Sequence, residues 1–274
     1  MRGSDNGHGR DDRPLSAESA WRLTADRADE CVLFFDFDGT LAPVADDPTA
    51  VRPVPRALSA IGALASVVRR VAIVSARPVD FLRDRFHGAA DVDLYGLYGL
   101  EHSHGAGPTV TEPAALPWVP AMADLADRAR SELPAEILVE YKRLSVALHY
   151  RTAPELAGEV ERWGHAEAER LGLRVQAGRM VLELKPPVDR DKGLVIGEAV
   201  ASAGCAWYFG DDVSDLKAFA ALRDREERDP SFFGVCVAVA NPETGQAVAG
   251  AADLTFESPE ALGDFLDSAA ASVR

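Results

Sequence analysis

Apolar residues in the first and last thirds of the chain form short continuous runs that alternate with helix-like segments. The runs VLFFDF (32–37), VAIVS (71–75) and DLYGLYG (93–99) are separated by segments with apolar residues at helical spacing. A strand in a parallel sheet is covered on both faces, so its apolar run is continuous. The alternation returns with AWYFG (206–210) and FGVCVAVA (233–240). The pattern predicts an α/β fold built on a doubly wound parallel sheet.

The middle of the chain has a different pattern. EILVEYK (136–142) and LSVALHYR (144–151) alternate apolar and polar residues, as strands with one solvated face do. Helix-like segments occupy 119–133 and 154–172, and a hairpin about Gly178 is expected after them. The resulting order α-β-β-α-β-β, with proline-rich stretches at both ends, predicts an inserted α+β domain.

These patterns divide the chain into three parts. Residues 30–110 and 186–274 are predicted to form the α/β core, and residues 111–185 a cap domain of αββαββ order inserted into that core. The polar residues 1–29 are expected to be a disordered N-terminal tail.

Composition narrows the classes of partner. The 274 residues include 29 basic and 44 acidic ones, which gives a formal net charge of −15. This charge disfavours nucleic acid and anionic membranes as partners, although local cations or a metal can still attract a small anion. No apolar run could span a bilayer, and the polar N-terminus lacks the apolar stretch of a signal peptide. Cys31, Cys205 and Cys236 lie in apolar runs without pairing intervals, so we expect reduced thiols in a cytoplasmic protein.

Two acids close the first buried strand. Asp36 and Asp38 follow VLFF and are followed directly by Gly39 and Thr40. Ligands of open parallel sheets bind at the carboxyl ends of the strands. A carboxylate there can attack phosphorus, and a second one can act as general acid and base. A lone Asp-x-Asp is more often a turn, so the interpretation depends on the motifs that follow.

Further polar residues stand at other strand ends and helix starts: Ser75, Arg77, Lys192, Asp211, Asp212 and Asp215. A hydroxyl and cations can hold a phosphoryl group, and clustered carboxylates can hold Mg²⁺. Taken singly, these residues are more often helix caps, solvated lysines or turn residues. Taken in this order at successive strand ends, they predict a Mg²⁺-dependent phosphoryl-transfer site.

The motif DFDGT (36–40), together with Ser75, Lys192 and GDDVSD (210–215), resembles the four signature motifs of the haloacid dehalogenase superfamily of phosphatases. The insertion resembles a C2-type cap. The resemblance implies that Asp36 is the nucleophile, Asp38 the general acid and base, and Ser75 and Lys192 the phosphoryl-binding residues. It also implies a Mg²⁺ site formed by Asp36, the backbone carbonyl of Asp38 and Asp211, with support from Asp212 and Asp215.

Segments of the predicted cap and core indicate one family within this superfamily. VEYKRLSVALHYR (139–151), AGRMVLELKP (177–186), GLYGLEH (96–102) and VAVANP (237–242) resemble segments of trehalose-6-phosphate phosphatases, and the resemblance covers almost the whole chain after residue 30. The implied substrate is a small-molecule sugar phosphate. Its implied binding residues, with Arg77 lining the same edge, are Glu140, Lys142, Arg151, Arg179 and Glu183. Pattern alone favours a solvated face of a small sheet for these cap residues, and the resemblance reverses that preference.

The chain departs from the family in one motif, where Ser214 replaces Thr and Leu216 replaces Glu. This departure leaves room for a trehalose-like substrate, such as a pseudo-disaccharide phosphate of the validoxylamine-type aminocyclitol kind. Another sugar phosphate, such as sucrose phosphate or a mannosyl phosphate, is an alternative within the same class of enzyme. A sugar-phosphate-sensing module with little turnover is a further alternative, which Asp38 and the large insertion disfavour. His102, His149 and Asn241 lie near the motifs without an assigned role, and the pattern is compatible with a monomer.

Overall fold

The computed structural model describes residues 16–45, 47–178, 180–241 and 244–273. The strands among these residues are β1 (Cys31–Phe35), β2 (Arg70–Val74), β3 (Val92–Gly96), β4 (Glu101–Ser103), β5 (Val110–Thr111), β6 (Leu138–Tyr141), β7 (Val146–His149), β8 (Arg174–Gly178), β9 (Val181–Lys185), β10 (Cys205–Gly210), β11 (Phe233–Val239) and β12 (Leu254–Phe256). The α-helices are α1 (Ala17–Ala25), α2 (Pro55–Leu64), α3 (Val79–Arg85), α4 (Val119–Glu132), α5 (Ala157–Leu171), α6 (Lys192–Ala199), α7 (Leu216–Arg228), α8 (Gln246–Ala251) and α9 (Pro259–Ser272).

The main sheet has the order β12-β11-β10-β1-β2-β3-β4-β5. Its first six strands run parallel, and β4 and β5 add an antiparallel edge. Strand β1 lies in the middle, and the chain winds outward from it in both directions. The α/β, doubly wound fold predicted from the sequence is therefore confirmed.

Both faces of this sheet are covered, which explains the continuous apolar runs. Leu33 and Phe35 of β1 point into a cluster that includes residues of α2 and α9, whereas Val32 and Phe34 point into a second cluster with residues of α6 and α7. The rings of Phe35 and Phe209 stack with centroids 4.6 Å apart, so β1 and β10 are also joined side by side.

The cap is a separate antiparallel sheet of four strands in the order β6-β7-β9-β8. Val146, Leu148, Leu182 and Leu184 from one face of this sheet share an apolar cluster with residues of α4 and α5. The opposite face carries polar side chains. The elements occur in the predicted order αββαββ, so the prediction of an inserted α+β cap is confirmed.

The expected disordered tail 1–29 is wrong from residue 16 onward. Ser16 caps helix α1, and its side chain accepts a hydrogen bond from the Ser19 amide. Trp21, which is 5% exposed, packs edge-on against Trp207 and anchors the helix. Because the residues around Trp21 are mostly polar, the sequence pattern did not indicate this nine-residue helix. Residues 1–15 lie outside the described part of the chain.

The core–cap limits at 110/111 and 185/186 remain predictions, although β5 extends the main sheet to Thr111. The hairpin of β4 and β5 was not predicted, because strands of three and two residues leave no readable alternation. Across the described residues, no helix is both long enough and apolar enough to cross a membrane.

Candidate active site

The carboxyl edge of the main sheet brings most of the sequence-predicted core residues together. Asp36 follows β1, Ser75 follows β2, Asp211 follows β10 and Lys192 begins α6. All four are buried. Parallel strands end at the same edge, so motifs far apart in sequence meet there.

Lys192 is the cation at the centre of this group. Its Nζ lies 2.8 Å from Oδ1 of Asp36 and 2.6 Å from Oδ1 of Asp215. Burial alone would lower the pKa of Lys192, but Asp215 and Asp36 outweigh it and raise the pKa well above its usual range. Lys192 is therefore a fixed positive charge beside Asp36.

The Asp215 carboxylate accepts four hydrogen bonds. Its Oδ1 accepts from Lys192 and from the Tyr208 hydroxyl at 2.7 Å, and its Oδ2 accepts from the amides of Asp211 at 2.9 Å and Asp212 at 3.1 Å. A carboxylate has about four acceptor sites, so these donors use all of them. Asp215 consequently fixes the loop after β10 and is poorly suited to bind a metal directly.

A cluster of carboxylates here fits a divalent cation. Carboxylate oxygens of Asp36, Asp211 and Asp215 lie within 4.8 Å of one another. Burial raises the pKa of Asp36 well above its usual range; Lys192 opposes this rise, and Asp215 and Asp211 add to it. Burial and Asp215 raise the pKa of Asp211 to about 7. Buried acids in excess over cations favour a bound cation, and oxygen ligands suit Mg²⁺.

Two further side chains orient Asp211. Thr40 Oγ1 donates to Oδ1 at 3.0 Å, and Asn241 Nδ2 donates to Oδ2 at 2.8 Å. Gly39, with φ of 82°, passes so close that a Cβ there would overlap the Asp211 carboxylate. Asp212, the next residue along the chain, is exposed to solvent.

The Asp38 carboxylate forms a two-point ion pair with Arg77. Arg77 donates to both of its oxygens, from Nε at 2.8 Å and from Nη2 at 2.7 Å. Nη1 of Arg77 lies 3.5 Å from Oε1 of Glu140 in the cap, and its guanidinium lies over the Phe81 ring at 4.6 Å. Arg77 therefore contacts an acid of the core and an acid of the cap together.

The polar face of the cap sheet presents paired charges to the cleft. Lys142 Nζ lies 3.3 Å from Oε1 of Glu183 and 3.8 Å from Oε2 of Glu140. Ser145 Oγ donates to Glu183 at 2.6 Å, and Nε2 of His149 lies 2.9 Å from Oε2 of Glu140. Burial would raise the pKa of Glu140, but His149, Lys142 and Arg77 together lower it to about 2.

One cleft of about 900 Å³ connects the core edge with this face of the cap. The sequence-predicted residues along it are Asp38, Arg77, Glu140, Lys142, Arg151, Glu183, Lys192, Asp211 and Asp212. Arg179, also predicted as a sugar-binding residue, lies outside the described residues. Leu216, at the position of the family's Glu, packs at the start of α7 against the apolar cluster beneath the sheet.

Sequence reasoning missed several cleft residues. Tyr98 reaches the cap with its hydroxyl 3.5 Å from Glu183, and Lys185 lies over its ring at 4.5 Å. Lys185 also donates to Gln176 at 2.5 Å. The period of two on β8 and β9 could have placed Gln176 and Lys185 beside Glu183, whereas no local signal marks Tyr98, which adopts a left-handed φ of 60°.

Comparison with known proteins identifies the family of the chain. The trehalose-phosphatase family model matches residues 34–250. A trehalose-phosphate phosphatase of Mycolicibacterium paratuberculosis is 35% identical over 245 residues, covering 86% of this chain and 61% of that protein. One from Mycobacterium marinum is 34% identical over 243 residues, covering 85% and 60%. The chain thus spans about three fifths of the length of the curated relatives it matches.

Solved structures share the fold at lower identity. The C-terminal domain of trehalose-6-phosphate phosphatase from C. albicans matches with a TM-score of 0.75 and 20% identity, covering 94% of this chain and 98% of that one. A haloacid dehalogenase-like hydrolase from Bacteroides thetaiotaomicron matches with a TM-score of 0.59 and 16% identity, covering 86% and 98%. The fold is that of the haloacid dehalogenase-like hydrolases. Within that class, the chain belongs to the trehalose-phosphatase family.

Proposed function

We propose that this chain is a Mg²⁺-dependent phosphomonoesterase that hydrolyses trehalose 6-phosphate to trehalose and inorganic phosphate. One observation carries the proposal: the same cleft is lined by Asp211 and Lys192 of the core and by a charge-balanced polar face of the cap, and Lys192 lies 2.8 Å from Asp36. Family membership and relatives named trehalose-phosphate phosphatases support the choice of reaction and of sugar.

In the first half of the proposed reaction, a carboxylate oxygen of Asp36 attacks phosphorus. The bond from phosphorus to the sugar oxygen breaks, and Asp38 gives that oxygen a proton. Lys192, at 2.8 Å from Asp36, and the Ser75 hydroxyl would hold phosphoryl oxygens as negative charge moves onto them. An aspartyl-phosphate and free trehalose result.

In the second half, Asp38 accepts a proton from a water molecule, and the water oxygen attacks phosphorus. Phosphate leaves and the Asp36 carboxylate is restored. Both roles require Asp38 to loosen its two bonds to Arg77. Glu140, 3.5 Å from Arg77, offers the guanidinium a second carboxylate while this exchange occurs.

The metal would be held by Asp36, Asp211 and the backbone carbonyl of Asp38, with Asp212 and Asp215 supporting that site. When bound, Mg²⁺ supplies charge neutralisation for the phosphoryl oxygens and for the surplus of buried carboxylates. Thr40 and Asn241 keep Asp211 oriented by bonds of 3.0 and 2.8 Å.

The cap would bind the sugar. Glu140, Lys142 and Glu183, with Arg151 and Arg179, would form charge-assisted hydrogen bonds with the hydroxyls of the ring distal to the phosphate. A neutral ligand suits this face because its charges already balance one another. Closure of the cap over the sugar would exclude bulk water from the phosphoryl intermediate. The buried, unpaired cysteines support the cytoplasmic location expected from the sequence.

Phosphate release tests the proposal. Trehalose 6-phosphate, sucrose 6-phosphate, glucose 6-phosphate and a validoxylamine-type pseudo-disaccharide phosphate would each be assayed with and without Mg²⁺. We expect fast, Mg²⁺-dependent release from trehalose 6-phosphate. Fast release from another member alone would reassign the substrate while keeping the core chemistry. No release from any member, with Mg²⁺ bound to folded protein, would favour a sensing module.

A further inference from the structure

Glu101 is a buried carboxylate outside the site described above. It begins β4, at the antiparallel edge of the main sheet, and is 5% exposed. Its Oε2 accepts a hydrogen bond of 3.1 Å from the backbone amide of Val79, the first residue of α3. The N-cap of α3 is Pro78, whose side chain cannot cap a helix. Glu101 thus supplies from a distance the acceptor that this helix lacks.

The other oxygen of Glu101 faces the cap. Arg143 Nη1 lies 3.1 Å from Oε1 and also donates to Thr111 Oγ1 at 2.9 Å. Arg143 sits at the tip of the turn between β6 and β7, with a left-handed φ of 65°. That conformation costs about 1 kcal/mol for a residue with a Cβ. One carboxylate therefore joins the tip of the cap hairpin to the start of a core helix.

The core end of this link adjoins the phosphate site. Helix α3 begins directly after the segment from Ser75 to Arg77, and the amides of Leu97 and Tyr98 bind the carbonyls of Arg77 and Ser75 at 3.0 Å each. A Cβ on Gly96 would lie 2.6 Å from the Val79 nitrogen, so the backbones are in close contact. The start of α3 is therefore fixed against the segment from Ser75 to Arg77, and Glu101 ties the cap hairpin to that fixed point.

The cap end of the link adjoins the proposed sugar site. Lys142 and Ser145 stand on either side of the Arg143 tip in the same turn, and the Lys142 amide donates to the Ser145 carbonyl at 2.9 Å. Both side chains contact Oε1 of Glu183, at 3.3 and 2.6 Å. A movement of the Arg143 tip would therefore move the groups that hold Glu183.

From these contacts we propose that Glu101 and Arg143 are positioning residues that set the spacing between the phosphate-binding segment of the core and the sugar-binding face of the cap. The inference rests on the proposed function. A substrate that uses both ends of the cleft depends on this spacing, whereas a small phosphate ester that uses the core end alone does not. Misplacement by about 1 Å can cost a reaction about 100-fold.

The test compares kcat/KM for trehalose 6-phosphate and for 4-nitrophenyl phosphate. Arg143→Ala should lower the first by roughly 10- to 100-fold and leave the second within about twofold. Arg143→Lys, which keeps a positive charge toward Glu101, should fall between the parent and Arg143→Ala. Equal losses on both substrates, or no loss on either, would overturn the proposal.

The chain offers a matched control. Arg128 is exposed to a similar degree as Arg143, 38% against 46%, and pairs with Glu167, a glutamate as buried as Glu101. That pair lies wholly within the cap, so Arg128→Ala should leave the ratio of the two kcat/KM values unchanged. A change in that ratio equal to that of Arg143→Ala would count against the proposal. If Arg143→Ala fails to fold, Glu101→Gln should alter the ratio in the same direction.

The parent protein separates this proposal from the proposed function. Hydrolysis of 4-nitrophenyl phosphate without hydrolysis of trehalose 6-phosphate would defeat the substrate assignment, and the ratio would then be measured with the panel member that the parent hydrolyses. If the parent hydrolyses none of these substrates, the link is tested by hydrogen exchange of the backbone amides of residues 79–82. Faster exchange in Arg143→Ala than in Arg128→Ala supports the link, and equal exchange overturns it.

Discussion

The two ends of the cleft both bury carboxylates beside lysine, but their charge balance differs. At the core end, Asp36, Asp211 and Asp215 share one cation, Lys192, and the pKa of Asp211 rises to about 7. At the cap end, Glu140 is surrounded by Lys142, His149 and Arg77, and its pKa falls to about 2.

This difference indicates what each end can bind. Surplus buried negative charge is costly until a cation neutralises it, so the core end fits a metal together with the phosphoryl group that the metal attracts. Matched charges need no added ion and instead offer strong hydrogen bonds, so the cap end fits a neutral polyhydroxyl group.

The largest effect is expected at the core end. Asp38→Asn would remove the proposed general acid and base, and should lower kcat by about 10²–10⁴-fold on every phosphate ester tested. Acid-quenched samples should then contain phosphorylated enzyme that decays slowly, because activation of the water is lost. The exposed acid Asp80 provides the control Asp80→Asn, which should behave like the parent. Turnover at the parental rate in Asp38→Asn would refute the acid–base role.

A smaller and more selective effect is expected at the cap end. Glu183→Gln should lower kcat/KM for trehalose 6-phosphate by about 10–100-fold, because a charge-assisted hydrogen bond becomes a neutral one beside Lys142. Hydrolysis of 4-nitrophenyl phosphate should be nearly unchanged. Glu167→Gln removes an equally buried cap glutamate outside the cleft and should spare both substrates. Similar losses on both substrates would argue against a division between sugar and phosphate ends.

The smallest effect concerns stability against pH. Because the folded-state pKa of Glu140 is lowered to about 2, its ionised form stabilises the fold at neutral pH. That contribution is complete above its unfolded pKa and is lost as pH falls toward the folded value. Between pH 4.5 and 3, the parent should lose about 2 kcal/mol more unfolding free energy than Glu140→Gln. Urea unfolding of both proteins measures this, and parallel pH curves would contradict the balanced-charge interpretation.

Much of the fold could be predicted because a strand that is buried on both faces has a continuous apolar run in the sequence. The runs before Asp36 and Asp211 are apolar throughout, and the acids at their ends mark the carboxyl edge. The cap strands were equally readable, because one face packs on helices and the other is polar. Elements without such a pattern were not predicted. Helix α1 is anchored mainly by Trp21, and strands β4 and β5 are too short to show an alternation of apolar and polar residues.

The candidate site was predictable where a residue type alone suggests chemistry. Acids and Lys192 in order along the chain pointed to the core end. The roles of Thr40 and Asn241 depend on distances to Asp211, and that of Tyr98 depends on two successive left-handed residues, Leu97 and Tyr98. Such contacts arise only when distant segments meet, so no local pattern records them.

Helix α1 also brings the two ends of the described chain together. Trp21 Nε1 donates to Ser272 Oγ in α9 at 2.9 Å, and Trp207 Nε1 donates to Thr24 Oγ1 at 2.8 Å. Helix α1 leads into the amino end of β1, and α9 starts after the carboxyl end of β12 and runs back, so the C-terminal ends of both helices lie toward the amino edge of the main sheet. The cleft opens at the carboxyl edge. Because α1 and α9 are bonded to each other away from the cleft, we expect a circular permutant with a linker between residue 273 and residue 16 to keep the cleft. The order of the segments along the chain would then differ from that of the parent, and the cleft would be the same.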